Sequence, residues 1–559
     1  LNTYADVTVA EPVGTDLQYY VAERAEQFRG VQVQQATTSG YPYQDLAAQT
    51  LGTVGRLSQA EEKEANFKGA NPNAIVGQSG LEYEYDKYLR GSYGHQNVKV
   101  NADGIAVGQG RKKEPVSGDD LKTTLDLRLE QVGDQGLAHS IGLNQGLGGA
   151  FVAMNPQNGS IYAMGSNPSF DPTMFTHQIS EKEIKYLQSP GANAPLYNRA
   201  SQSVAPTGST FKVITATAAL ESGAWTPSET FDDTGEFCPT PNDPSSCLNN
   251  AGHAAYGPLD ITSAIRVSDD VFFYHLGDIL NVDKPQGGPL QTWARRFGIG
   301  RNPHIDLPPG QVSNGNLPTP AWFDHRSREE AECEAATGPF RYTNGKTTSA
   351  HMKKGYHRSP KHPLSSGGCE LGTPNVTWTV GDNINTGVGQ GDDEVSPLQL
   401  AMVYSAIENG GTIVNPHLGQ DIQGTDGTVL QKLSFPALRH LHIAGGNLAA
   451  IQTGLHEAAQ TPGGTSDDVM GDFPKAVYGK TGTAQYIPTS GPDTGQEKDY
   501  SWYVCYVPSS VTSKPIVIVV WVEGGGFGDV AAAPVARQML NQWFLSKPGT
   551  YTAGVSTDR

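Results

Sequence analysis

Ala205-Pro206-Thr207-Gly208-Ser209-Thr210-Phe211-Lys212-Val213-Ile214-Thr215-Ala216 decides how this 559-residue chain is read. Pro206 and Gly208 deliver the chain into a run of helix-compatible residues, so Ser209 is expected to open a helix. There a hydroxyl lies beside free backbone N–H groups and the positive end of the macrodipole, which favour a developing alkoxide. Lys212 follows three residues on, placing both side chains on one face of the first turn. That is a nucleophile with a base within reach. No other serine in the chain has a lysine three residues later. A capping serine with a surface lysine one turn on is ordinary in helices, so the pair alone does not settle the chemistry.

Two further motifs do. Gly479-Lys480-Thr481-Gly482-Thr483-Ala484 holds the chain's one Lys-Thr-Gly, and strand-like runs follow at Ser501–Val507 and Pro515–Val522. Turn residues separate them, which predicts an antiparallel meander with Lys480 on its first strand. Between the two motifs, Arg266-Val267-Ser268-Asp269-Asp270-Val271 supplies a second serine and two acids ahead of an apolar helix. Ser-x-x-Lys, Ser-Asp-Asn and Lys-Thr-Gly, in this order, mark class A β-lactamases and penicillin-binding proteins. The chain resembles the penicilloyl-serine transferases.

Its flanks resemble the class B penicillin-binding proteins, the monofunctional peptidoglycan transpeptidases. The similarity lies in Asn198-Arg199-Ala200, in Gly387-Val388-Gly389-Gln390-Gly391 with Ser396-Pro397-Leu398-Gln399-Leu400, and in Tyr41-Pro42 with Gly77 to Gly91. Asp270, where most of that superfamily has Asn, resembles the elongation-type members. Ser39 stands where the family's N-terminal pattern usually has Arg, and Thr207 separates Pro206 from Gly208 where many relatives have Pro-Gly.

The resemblance implies an α+β multidomain chain. Residues 1–118 would form a pedestal (dimerisation-type) domain, with a hinge at about 110–122. Residues 119–559 would form an α/β-lactamase-like transpeptidase domain, an antiparallel five-stranded sheet flanked by helices, with an inserted loop at about 326–377. Asn158-Gly159 between two apolar runs predicts a hairpin, and Pro534–Leu545 an amphipathic helix packed on the sheet.

The same resemblance assigns roles. Ser209 is the nucleophile and Lys212 the base, kept neutral by the nearby charge of Lys480. Ser268 relays the proton, and Asp270 orients Lys212 or meets the substrate amide. Lys480, Thr481 and Thr483 receive the terminal carboxylate, the small Gly482 lets substrate lie close to the strand, and the N–H groups of Ser209 and Thr483 form the oxyanion hole. The implied partners are stem peptides of peptidoglycan and their lipid-linked precursor, β-lactams, and a shape-family glycan polymerase in the membrane. No metal or organic cofactor is required. A DD-carboxypeptidase of the same fold and a non-catalytic β-lactam sensor or scaffold are the alternatives.

A net charge of −18 leaves no basic stripe for phosphates, which excludes nucleic acid as a partner. The longest apolar run, Ile516–Val522, is too short to span a bilayer. The resemblance implies a single N-terminal membrane anchor ahead of Leu1 and an extracytoplasmic catalytic domain. There, cysteines oxidise. Cys238–Cys247 and Cys333–Cys369 are the expected disulfides, and Cys505, in a core strand, the buried thiol. The alternative is a metal site at Asp233, Cys247, His253 and Asp269, where the matching segment of some elongation-type relatives looks like a zinc site. It would require an unpaired Cys247.

Overall fold

The computed structural model describes residues 9–555 except 11–12, 29, 32, 34–38, 72–73, 102–105, 178, 241–242, 338–340, 344–345, 349–376 and 488–494. Cys369 lies outside the described residues, as does most of the stretch 338–376.

The N-terminal part is built from small units. Val54–Arg56 pairs with Ile75–Gly77, and His95–Val100 with Ala106–Lys113. Leu57, Phe67, Ala74 and Val76 make a small core of their own. Leu81 and Tyr85 belong instead to the main core. The Tyr85 hydroxyl donates to Asp306 at 2.6 Å, and the Gly80 N–H donates to Gln311 at 2.7 Å. The segment 80–89 is therefore tied to the catalytic body by buried polar contacts that water cannot replace.

Beyond it come β1 (Asp120–Thr123) and α1 (Leu127–Asn144), then the hairpin β2 (Gly148–Met154) and β3 (Ile161–Asn167). Gly159, at φ +85°, makes the predicted turn between them. Next are α2 (Lys212–Ser222), α3 (Ile261–Val267), α4 (Asp270–Ile279), α5 (Pro320–Thr337) and α6 (Pro397–Glu408). β4 (Gly419–Gln423) and β5 (Val429–Lys432) join β1 in a three-stranded sheet. The chain closes with β6 (Tyr478–Tyr486), β7 (Lys498–Val507), β8 (Ile516–Glu523) and α7 (Ala533–Leu545).

The main sheet has five antiparallel strands in the order β6-β7-β8-β2-β3, with the Lys-Thr-Gly strand at one edge. Alternate residues of β8 enter two cores. Val517, Val519 and Trp521 pack on the α2 and α6 side, and Ile516, Ile518, Val520 and Val522 on the α1 and α7 side. A strand covered on both faces reads as one apolar run, which is why Pro515–Val522 shows no alternation. Cys505 is buried among the second set, and burial pushes its thiol well up.

Two expectations need correction. The polar stretch expected to be loop from about Arg326 begins as helix, since α5 runs to Thr337. Thr319 accepts the Trp322 N–H, Pro320 fills the first turn, and Glu, Ala and Arg favour the helix that follows. Ser209, for its part, does not open an α-helix. It lies in a 3-10 turn, Gly208–Phe211, that runs into α2 at Lys212.

Candidate active site

In a 3-10 turn side chains three residues apart eclipse one another, so Ser209 and Lys212 share a face more directly than α-helical spacing gives. Three glycines set the turn in place. Gly208 has φ +54°, and a Cβ there would lie 2.4 Å from the Thr483 carbonyl oxygen and 2.8 Å from the Thr483 nitrogen. A Cβ on Gly482 would lie 2.4 Å from the Thr207 oxygen, and one on Gly389 2.1 Å from the Gly208 oxygen. The turn is thus pressed backbone-to-backbone between β6 and the 387–391 segment. Gly482 is buried here, so its missing side chain admits the turn itself. The Gly208 N–H donates to Gly389 O at 2.8 Å, Trp502 Nε1 to Pro206 O at 2.9 Å, and the Tyr404 hydroxyl to Thr210 O at 3.0 Å. Thr207, Gly208, Thr210, Phe211 and Lys212 are buried, while Ser209 is half-open.

Lys212 is fully buried, and its ammonium makes three contacts. Nζ donates to Asp270 Oδ1 at 2.7 Å, to Ser268 O at 2.7 Å and to Ser268 Oγ at 3.3 Å. Ser268 holds a left-handed conformation, φ 61° and ψ 37°, between α3 and α4. A non-glycine residue there is strained, and the kink is what turns both its oxygens toward Lys212. Asp270 is the first residue of α4, capped by Asp269, whose carboxylate accepts the Phe272 N–H. Of its two expected roles, Asp270 takes the pairing with Lys212.

Lys480 is also buried, with Nζ donating to Thr481 O at 3.3 Å. Burial first, and the Lys212 charge second, hold its pKa well below the ordinary lysine value. The Asp270 carboxylate reaches Lys212, and among the described residues no carboxylate hydrogen-bonds Lys480. Thr481 and Thr483 are half-buried on β6. Thr483 Oγ1 accepts the Gly528 N–H at 3.4 Å, and Gln390 Nε2 donates to Thr483 O at 3.3 Å.

The four residues of the metal alternative do not come together. Cys247 is bonded to Cys238, the first expected disulfide. His253 is exposed on a surface turn. The buried Asp233 accepts from the Gly235 N–H at 2.8 Å and the Tyr256 N–H at 2.8 Å. Asn250 lies between the two acids: Nδ2 reaches Asp233 Oδ2 at 3.0 Å and Asp269 Oδ2 at 3.3 Å. Burial, with the neighbouring Asp233 carboxyl, raises the Asp269 carboxyl to about 7. Among the described residues the grouped ligand atoms are Glu236, Cys238 and Cys247, and the two sulfurs are already bonded to each other.

Asn250 is the functional residue that sequence reasoning missed. Its Oδ1 accepts the N–H groups of Asp270 at 2.8 Å and Val271 at 3.0 Å, fixing the start of α4 and so the Asp270 carboxylate. An Asn three residues past Cys247, in a polar stretch, carries no signal of this.

Fold and site together define a serine acyltransferase in which a Ser-x-x-Lys turn is set against a Lys-Thr-Gly strand. Residues 149–541 match the penicillin binding protein transpeptidase domain, and residues 1–123 the penicillin-binding protein dimerisation domain. The chain belongs to the penicillin-binding protein transpeptidase family. It is similar to the peptidoglycan D,D-transpeptidase MrdA of Haemophilus influenzae, 27% identical over 535 residues, covering 92% of this chain and 71% of the relative. Among solved structures it resembles Pseudomonas aeruginosa PBP2 in complex with WCK 5153, at 25% identity and TM-score 0.67, covering 93% and 95% of the two chains. It also resembles a chain of a peptidoglycan synthase complex that coordinates polymerization and crosslinking, at 26% identity and TM-score 0.69, covering 97% and 82%.

Proposed function

We propose that this chain is a peptidoglycan D,D-transpeptidase that works through an acyl-enzyme on Ser209. The observation that carries the residue assignment is the contact of Gly208 with the backbone of Thr483, which sets the Ser209 turn against the Lys-Thr-Gly strand. Lys212, which follows the Ser209 turn, is held at Ser268 and Asp270 of the middle motif, and this supports the reading.

Ser209 attacks the carbonyl of the penultimate D-Ala of a stem peptide. The terminal D-Ala leaves, and an amine of a neighbouring stem peptide resolves the ester. The N–H groups of Ser209 and Thr483 receive the oxyanion, each such donor being worth about 3 kcal/mol. Two ammonium groups this close disfavour each other. A substrate carboxylate delivered to Lys480, Thr481 and Thr483 lets Lys480 take the charge, and Lys212 is then the group able to accept the Ser209 proton. Ser268, in contact with Lys212, passes it to the leaving amine.

β-Lactams present a carbonyl and a carboxylate in the same relation and acylate the same serine. Residues 1–118 act as a pedestal that meets a glycan polymerase of the shape family, in line with the synthase complex noted above. Among the described residues no helix is long and apolar enough to cross a membrane. The reading places the protein outside the cytoplasm on a single N-terminal anchor. Incubation with a fluorescent penicillin, followed by peptide mass spectrometry over time, tests the assignment. A slowly hydrolysed adduct on the Ser209 peptide is expected, and an adduct elsewhere, or none, overturns it.

A further inference from the structure

The disulfide between Cys238 and Cys247 closes one end of a very short ladder, Glu236–Phe237 paired with Leu248–Asn249. Phe237 stands opposite Leu248, and Glu236 opposite Asn249. Asn250 leaves the other end, where its N–H donates to Gly235 O at 3.4 Å. Two residue pairs do not hold together by themselves, since even longer isolated hairpins are marginal in water. The Phe237 ring adds one edge contact, with His275 of α4. Both cysteines are half-buried, so a small reductant reaches them.

From Asn250 the contacts run unbroken to Lys212. Asn250 Oδ1 accepts the N–H groups of Asp270 and Val271, and Asp270 Oδ1 accepts from Lys212 Nζ. Asn250 Nδ2 also donates to Asp233 Oδ2 and, at 2.9 Å, to Ala254 O. Asp233 is paired with Gly257 in a separate ladder that the disulfide does not close. Breaking the disulfide therefore loosens Asn250 without releasing it.

We propose that Cys238 and Cys247 are positioning residues for the acylation of Ser209, and that a dithiol of the thiol–disulfide oxidoreductase class slows that step by reducing them. The inference rests on the acyl-enzyme reading above. A thiolate of the dithiol attacks one sulfur, the bond between Cys238 and Cys247 breaks, and the second thiolate resolves the mixed disulfide. The dithiol is oxidised to a disulfide, and its two electrons and two protons leave Cys238 and Cys247 as thiols. The ladder then frays, and Asp270 no longer keeps Lys212 aligned. Lys480, Thr481 and Thr483 lie on β6, outside this chain of contacts, so penicillin still binds. A displacement of about 1 Å costs about a hundredfold, and the smaller one left by the remaining anchors costs about tenfold.

Fluorescent penicillin tests this on three forms of the full chain: oxidised, reduced with dithiothreitol and desalted, and Cys238→Ser/Cys247→Ser. The first-order acylation rate at saturation is separated from the dissociation constant. The rate falls about tenfold in the reduced chain and in the double variant, with the dissociation constant within about twofold. Dithiothreitol slows the double variant no further, which sets this disulfide apart from any other. In Asn250→Ala the link is already cut, so reduction changes its slow rate by less than about twofold, whereas a merely stabilising disulfide would act alike in both backgrounds. Thermal melting checks that each form is folded, and the reduced parent carries the test if the double variant is not. An unchanged rate in folded reduced protein, a change confined to the dissociation constant, or equal slowing in Asn250→Ala overturns the proposal. An oxidised parent that is not acylated on Ser209 removes the acyl-enzyme reading itself, and the proposal with it.

Discussion

Replacing Asn250 by alanine removes one side chain that serves two buried systems. The N–H groups of Asp270 and Val271 lose their common acceptor, and the Asp233 and Asp269 carboxyls lose their common donor. Val271 is fully buried, so water does not replace the lost partner. Loss of a cap costs about 1 kcal/mol, and each buried group left unsatisfied about 1–3 kcal/mol, so a total of about 3 kcal/mol is expected. The effect on chemistry is larger. Asp270 holds Lys212 at 2.7 Å from the first residue of α4, and a displacement of about 1 Å in a catalytic array costs about a hundredfold in rate. The assay is the second-order rate constant for acylation by fluorescent penicillin, alongside equilibrium unfolding in urea. Asn249→Ala, at an exposed neighbour, is the control and is expected to stay within about 0.5 kcal/mol of the parent. An Asn250→Ala protein that acylates at the parental rate refutes the positioning of Asp270 by Asn250, whatever its stability.

Lys212→Met keeps most of a fully buried side chain's volume and removes the base; acylation should fall by about 10²–10⁴-fold with the fold retained, as read by melting. Gly482→Ala drives a Cβ into the Thr207 carbonyl, and a loss of about 1–3 kcal/mol with slowed acylation is expected; normal acylation and melting would show that the turn can yield. Glu130 bears on pH. Its carboxyl holds a proton to about pH 8 when folded and loses it near 4.5 when unfolded, so the native state binds more protons between those values. Stability therefore falls as pH rises through that window. Glu130→Gln should flatten this decline in a melting series from pH 4.5 to 8, and an unchanged slope counts against it.

Much of the fold was legible because its signals are local. The Asn158-Gly159 hairpin, the strand β8 and the helix α7 follow from turn chemistry and apolar patterning, which neighbours in sequence set by themselves. The Ser209–Lys212 pairing was legible for the same reason. Three-residue spacing gives one face in either helical form, so the exchange of an α-helix for a 3-10 turn does not alter that expectation. The later part of α5 was missed because charged, polar residues read as loop, whereas Thr319 and Pro320 launch a helix that such residues sustain.

The sequence by itself determined the reaction class and the residue types that carry it: one Ser-x-x-Lys, one Lys-Thr-Gly, and a serine and an acid between them. Tertiary structure alone decided which lysine holds a carboxylate, that three glycines let backbones touch around the Ser209 turn, and that Asn250 sits between Asp233 and Asp269. The physical reason is range. Spacing along a turn is fixed by bonded geometry, but the charge state of a buried lysine and the partner of a buried carboxyl depend on which distant groups are brought within a few ångströms in a low-dielectric interior.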